Sequence, residues 1–128
     1  MMAGETVKKK ILVVDDDPIA VTLMSKTLEN MGFEVLKGTN GQEALAVVKQ
    51  TSVDLIILDQ MMPKMNGIKA CALIKSDKRF RSIPIIMFTA SAEESDKRLS
   101  IEVGANAFCN KPLDVPVLTK KIQELLKI

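Results

Sequence analysis

The stretch that decides the fold is Ile11-Leu12-Val13-Val14-Asp15-Asp16-Asp17-Pro18, an apolar run that ends in three acids and a proline. A second run, Leu55-Ile56-Ile57-Leu58-Asp59, also ends in an acid. Short runs rich in Val and Ile and bounded by turn residues are typical of strands buried on both faces of a parallel sheet. Because carboxylates are costly to bury, we expect these acids to lie where the two strands end.

Strand and helix patterns alternate along the chain. Strands are predicted over 10–15, 33–37, 54–59, 84–89 and 106–110, and helices over 18–31, 41–50, 67–77, 92–103 and 114–127. Asp17 and Asp114 are predicted N-caps, and Gly32 and Gly104 are placed where helix C-caps occur. The fourth helix has the thinnest apolar stripe. Five βα units with short connections predict an α/β fold, a doubly wound five-stranded parallel sheet with helices on both faces.

Composition limits the possible functions. The 128 residues suit one domain, and a net charge of +2 gives no strong case for nucleic-acid binding. The absence of histidine argues against Ser-His-Asp and Cys-His catalysis and most zinc sites. No apolar stretch approaches the roughly 20 residues of a membrane span, and the first residues lack a signal-peptide pattern. With two cysteines, Cys71 and Cys109, we expect a cytoplasmic protein.

The acids at the strand ends predict a ligand site. In an open parallel sheet, ligands bind at the carboxyl edge of the strands, near the point where the strand order reverses. Asp15 and Asp16 follow the first strand, and Asp59 follows the third. If these strands are neighbours, the three carboxylates form a compact anionic pocket, which suits a hard cation.

Five sequence motifs occur together in this chain. They are Val13-Val14-Asp15-Asp16, Asp59-x-x-Met62-Pro63-x-x-x-Gly67, Phe88-Thr89-Ala90, Gly104-Ala105 and Lys111-Pro112. As a set and in this order they resemble the receiver domain of bacterial response regulators, the superfamily of the chemotaxis regulator. The resemblance extends from about residue 9 to 126 and implies a flavodoxin-like (βα)5 sandwich with strand order 2-1-3-4-5.

The resemblance implies a magnesium site. Asp16, Asp59 and the backbone carbonyl of Met61 would bind Mg²⁺ directly, and Asp15 would contribute through water. Asp59 would also be the phospho-acceptor, forming an aspartyl phosphate.

The resemblance also assigns roles to two strand-end residues and an aromatic residue. Lys111 would neutralise a phosphate oxygen, and the Thr89 hydroxyl would donate a hydrogen bond to another. A cis peptide is implied between Lys111 and Pro112. Thr89 and Phe108 would form the conformational switch, although Phe108 stands where many family members have Tyr.

The resemblance further implies partners. A histidine kinase or phosphotransfer protein would phosphorylate Asp59, and a protein target would bind the fourth helix, fifth strand and fifth helix, including Lys97, Ile101 and Phe108. We expect a flexible N-terminal extension over 1–8 and a receiver domain over 9–128, with no membrane and no direct nucleic-acid contact. The expectation is a stand-alone receiver, but a fragment of a longer regulator would have the same sequence.

Two alternatives remain open. A haloacid-dehalogenase-type phosphohydrolase also uses Mg²⁺ and an Asp-x-Asp motif, which Asp15-x-Asp17 satisfies, but 128 residues leave no room for a substantial cap domain. A pseudo-receiver would act as an interaction module that never accepts phosphate. Such modules usually lose an acid or the lysine, and this chain keeps all of them.

Overall fold

The computed structural model describes residues 7–128 as a parallel five-stranded sheet with strand order β2-β1-β3-β4-β5 and helices on both faces. The predicted sheet and strand order are therefore confirmed. The predicted extension over 1–8 lies mostly outside the described residues. The elements are β1 Lys10–Val14, α1 Pro18–Asn30, β2 Glu34–Gly38, α2 Gly41–Gln50, β3 Leu55–Leu58, α3 Gly67–Ser76, β4 Ile85–Thr89, α4 Glu94–Glu102, β5 Ala107–Asn110 and α5 Val115–Leu126.

Alternation along the central strands divides the core into two layers. In β1, Leu12 and Val14 face a cluster completed by α2 and α3, whereas Ile11 and Val13 face a cluster completed by α1 and α5. Every residue of β3 and β4 is buried. Since burial on both faces requires apolar side chains at successive positions, the continuous apolar runs are explained by the three-layer arrangement.

The register of the sheet brings the functional strand ends to one edge. Val14 is aligned with Leu58, so Asp15 and Asp59 leave neighbouring strands at the same level. The backbone N–H of Asp59 donates to the carbonyl of Val14 at 2.9 Å, which fixes this placement. On the other side of β3, Thr89 of β4 is aligned with Asn110 of β5, and Lys111 follows directly.

Local capping explains most helix boundaries. Asp17 and Asp114 cap α1 and α5 by accepting hydrogen bonds from the N–H groups of Ile19 and Val117, as predicted. Gly32, which follows α1, has a φ of +95°, a backbone conformation that favours glycine. The fourth helix is shorter than predicted, beginning at Glu94 instead of residue 92. Ser91 stays outside the helix, where its hydroxyl accepts a hydrogen bond from the Glu93 N–H and donates one to Asp96 in the first turn of α4.

Gly67 is required by a close approach of two backbone segments beside Asp59. A Cβ at this position would lie 2.1 Å from the carbonyl oxygen of Asp59. At Gly38, by contrast, the nearest atom to an added Cβ would be 3.5 Å away, an ordinary contact.

We therefore predict that Gly67→Ala lowers the free energy of unfolding by about 1–3 kcal/mol, because the backbone must shift to relieve the clash. Urea denaturation would measure the change. Gly38→Ala is the matched control and should stay within about 0.5 kcal/mol of the parent. Equal losses in the two variants would show that the approach to Asp59 is not what requires glycine.

Candidate functional site

Three carboxylates meet at the carboxyl edge of the sheet. Asp15 and Asp59 are buried, with Asp59 only 6% exposed, whereas Asp16 is exposed. One carboxylate oxygen from each of the three lies within 4.8 Å of the others. The structure thus brings together the three acids singled out in the sequence. Asp17 is outside this group, because its side chain caps α1.

Lys111 supplies the positive charge of the site. Its ammonium group donates to Asp15 Oδ2 at 2.7 Å and lies 3.7 Å from Asp59 Oδ2. Burial opposes the charge of this lysine, but the hydrogen bond to Asp15 and the charge of Asp59 outweigh burial and raise its pKa above the ordinary value. The peptide bond to Pro112 is cis, as the resemblance implied.

Thr89 and Phe108 lie on β4 and β5, the two strands beyond β3 in the sheet. Thr89 is buried at the end of β4, where its hydroxyl oxygen accepts a hydrogen bond from the Ser91 N–H at 3.3 Å. Phe108 is half-buried on β5 and packs against the core cluster that includes Met87. Their role as a switch stays a prediction.

Met61 contacts the site through its backbone and not through its side chain. Its side chain is 66% exposed, and its backbone N–H donates to Asp59 Oδ1 at 3.3 Å. This contact holds the Asp59 carboxylate from the side of the loop that follows β3. The predicted use of the Met61 carbonyl as a metal ligand stays a prediction.

The electrostatics of the site are dominated by Asp59. Burial and the nearby charge of Asp15 raise the pKa of Asp59 to about 6, and Lys111 only partly compensates. The carboxylate is therefore mostly ionised at neutral pH but is in an unfavourable environment. A cation that binds among the acids relieves this repulsion, so the donor set fits a hard, oxygen-preferring ion such as Mg²⁺.

Three polar residues beside the site were not identified from the sequence. Gln60 and Asp96 are joined by a hydrogen bond, Asp96 also contacts Ser91, and Asn110 donates to the carbonyl of Ser91. Ser91 and Glu94 have the spacing of a capping box. A capping box would pair Ser91 with the side chain of Glu94. In the structure, the hydroxyl of Ser91 donates to the carboxylate of Asp96 instead.

The raised pKa of Asp59 predicts a pH dependence of stability. Between about pH 4 and pH 6 the native state holds a proton that the unfolded state has lost, so stability falls as pH rises through this range. Removing the charge by Asp59→Asn should raise the free energy of unfolding at pH 8 by about 1–2 kcal/mol, with solvent screening considered, and by much less at pH 4.

Urea denaturation without Mg²⁺ across this pH range would measure the effect. Asp114→Asn is the control, since Asn still caps α5 and no buried acid is lost. An Asp59→Asn protein that is less stable than the parent at pH 8 would contradict the electrostatic interpretation.

Comparisons with known proteins agree with this geometry. The family model of the response regulator receiver domain matches residues 11–123. The alkaline phosphatase synthesis transcriptional regulatory protein PhoP of Bacillus subtilis is 40% identical over 119 residues, which are 93% of this chain and 49% of that protein. The chain thus spans about half the length of this relative.

Solved structures give the same result. The receiver domain of a signal transduction histidine kinase from Syntrophus aciditrophicus is 34% identical with a TM-score of 0.87, covering 93% of this chain and 90% of that one. The receiver domain of the sensor histidine kinase PA1611 from Pseudomonas aeruginosa, with magnesium coordinated in its active site cleft, is 26% identical with a TM-score of 0.88, covering 95% and 100%.

PhoP is a transcriptional regulator and the two similar structures are receiver domains, which agrees with the predicted phospho-acceptor role. None of the three matched regions is a phosphohydrolase. Among the described residues, no helix is long and apolar enough to cross a membrane. The match covers most of the chain, and the acids, the threonine and the lysine that carried the resemblance lie together at one sheet edge. The chain therefore belongs to the receiver domains of two-component response regulators.

Proposed function

We propose that this receiver accepts a phosphoryl group on Asp59 from a histidine kinase or phosphotransfer protein, and that the modification alters a protein-binding surface. The observation that carries the proposal is the placement of the buried Asp59 carboxylate beside Asp15 and 3.7 Å from the Lys111 ammonium. A nucleophile beside a fixed cation suits an attack on an anionic phosphoryl group.

The transfer itself is a displacement at phosphorus. One oxygen of ionised Asp59 forms the new bond, the bond from phosphorus to the donor nitrogen breaks, and the bonding electron pair stays on that nitrogen. A pKa of about 6 leaves Asp59 mostly ionised at neutral pH. Lys111 balances a phosphate oxygen, and the hydroxyl of Thr89, at the end of the strand that pairs with β3, donates to another.

Asp15, Asp16 and Asp59 are the residues proposed to hold Mg²⁺, together with the carbonyl of Met61. The support is the set of carboxylate oxygens within 4.8 Å of one another and the magnesium in the cleft of the similar PA1611 receiver. When bound, Mg²⁺ supplies positive charge that offsets the repulsion between the carboxylates and the phosphoryl oxygens.

A protein phosphodonor needs a surface beside Asp59, and α1 offers one. Ile19 is 78% exposed, and Leu23 is also exposed. Next to them is a small apolar cavity of about 160 Å³ that reaches Lys111; its lining is Ala20, Leu23, Met24, Phe88, Lys111, Pro112 and Leu113. We assign docking of the donor to this surface, because it adjoins the acceptor site directly.

The output surface is proposed on α4, β5 and α5. Ile101 is 54% exposed, Lys97 is exposed and Phe108 is half-buried, so a change at Thr89 and Phe108 would reach an accessible face. The expectation that the domain contacts no nucleic acid stays a prediction, since PhoP is a transcriptional regulator about twice as long as the chain. A cytoplasmic location fits the two free, buried cysteines.

The first prediction from this function is modification of one aspartate. Incubation with Mg²⁺ and acetyl phosphate should add one phosphoryl group by intact mass, and Asp59→Asn should abolish the addition. Asp54→Asn is the matched control, because Asp54 precedes β3 and is bonded to the Lys10 N–H at the opposite end of the sheet. Absence of modification in the parent protein would favour the pseudo-receiver alternative.

The second prediction separates a metal ligand from a helix cap. Asp16→Ala should weaken Mg²⁺ binding by at least about tenfold, because it removes a ligand. The fold should be kept, because the substitution also removes a charge that repels the other two acids. Asp17→Ala should leave Mg²⁺ affinity nearly unchanged but lower the free energy of unfolding by about 1 kcal/mol, since it removes the N-cap.

Titration calorimetry and urea denaturation would measure the two effects. If Asp16→Ala and Asp17→Ala lost Mg²⁺ affinity equally, this division of roles would be wrong.

A further inference from the structure

The fourth helix is attached to the sheet by few apolar contacts. Among the described residues of α4, Ser100 alone is buried, and the N-cap residue Glu93 makes no side-chain capping bond. Leu99 and Ile101 are exposed. Polar contacts must therefore determine how the first turn of this helix is held.

These polar contacts converge on Asp96. Its carboxylate accepts a hydrogen bond from the Ser91 hydroxyl in the loop between β4 and α4. Its backbone carbonyl accepts one from the Ser100 hydroxyl at 3.0 Å and one from the Gln60 amide at 3.4 Å. Asp96 thus joins α4 to the loops that follow two different strands.

Each of these loops leads back to the phosphorylation site. Gln60 is the residue after Asp59. The N–H of Ser91 donates to the hydroxyl oxygen of Thr89 at 3.3 Å. The carbonyl of Ser91 accepts a hydrogen bond from Asn110, the residue before Lys111.

We propose that Asp96 is a positioning residue, a latch that holds Ser91 and the first turn of α4 in the unphosphorylated protein and releases them when Asp59 carries a phosphoryl group. This inference rests on the proposed function. A Thr89 hydroxyl that turns toward a phosphoryl oxygen leaves the Ser91 N–H. Since Ser91 is two residues from Thr89, its bond to Asp96 is the contact that this movement strains.

The Gln60 amide supports the existence of a second arrangement. Its Oε1 atom is buried and accepts no hydrogen bond from any residue between 7 and 128, while its Nε2 atom makes only the long bond to Asp96. A buried amide oxygen without a donor costs free energy, so this placement of the Gln60 side chain is not fully stabilised. The contact between Gln60 and α4 is therefore one that can change at small cost when the loop after β4 moves.

A double-mutant cycle tests the latch. Four proteins are compared by amide hydrogen exchange of α4: the parent, Ser91→Ala, Asp96→Ala and the double variant. Exchange is measured first without a phosphoryl mimic and then with Mg²⁺ and beryllofluoride, which mimics the phosphoryl group. Without beryllofluoride, each single substitution should raise the amide exchange rate in the first turns of α4 by about tenfold, and adding the second substitution should raise it little further. With beryllofluoride, all four proteins should agree within about twofold.

Glu94→Ala is the matched control, because Glu94 carries the same charge in the same turn and makes no side-chain hydrogen bond or ion pair with the described part of the chain. Combined with Ser91→Ala, its effects should add. Additive effects of Ser91→Ala and Asp96→Ala would overturn the latch. A coupling of equal size with and without beryllofluoride would also overturn it, because a purely structural cap does not depend on the state of Asp59.

Fluorine NMR of bound beryllofluoride distinguishes failure of the latch from failure of the proposed function. If the parent protein takes up beryllofluoride but the coupling is absent or independent of it, only the latch is wrong. If the parent protein takes up none, the proposed function and the release of the latch are both contradicted.

Discussion

The repulsion between Asp15 and Asp59, two buried carboxylates on neighbouring strands, is the constraint on which the site depends. Neither acid can move away, because the Asp59 N–H donates to the Val14 carbonyl and β1 and β3 are paired and packed by apolar side chains on both faces. Burial, together with the charge of Asp15, raises the pKa of Asp59 to about 6, and Lys111 offsets only part of this effect. The fold thus maintains an excess of negative charge that favours binding of a cation and makes Asp59 sensitive to any change of charge nearby.

Close packing behind Asp59 also prevents this residue from moving away from Asp15. The first residue of α3, Gly67, approaches the Asp59 carbonyl so closely that a Cβ has no room, and its N–H donates to the carbonyl of Gln60. The loop between β3 and α3 is therefore folded back onto the strand end. Asp59 is held by the sheet on one side and by this loop on the other, which restricts its carboxylate to the edge where the other acids lie.

Much of the fold and of the site's composition was predictable, because both depend on short-range patterns. Continuous apolar runs such as 55–58 indicate strands covered on both faces, and the acids that end them must face solvent or a ligand. The strand order came from the resemblance rather than from periodicity. The contacts of Asp96 were not predictable, since the hydroxyl of Ser91 can bond to several acids in the same turn and only the tertiary position of α4 selects one. The pKa of Asp59 likewise depends on burial and distances that the sequence does not contain.

The rigid part of the molecule is held by apolar packing, and the loosely held part is held by polar contacts. The central strands, with their buried side chains, fix the positions of the Asp15 and Asp59 carboxylates, and a site that favours a cation needs such fixed negative charges. By contrast, α4 contributes almost nothing to the core and depends on hydrogen bonds made by Ser91, Gln60 and Ser100. Polar contacts of this kind can be exchanged at little cost, whereas a packed apolar layer cannot. The signal proposed here, a change of charge at Asp59, would therefore have its easiest route outward through the polar contacts at the start of α4.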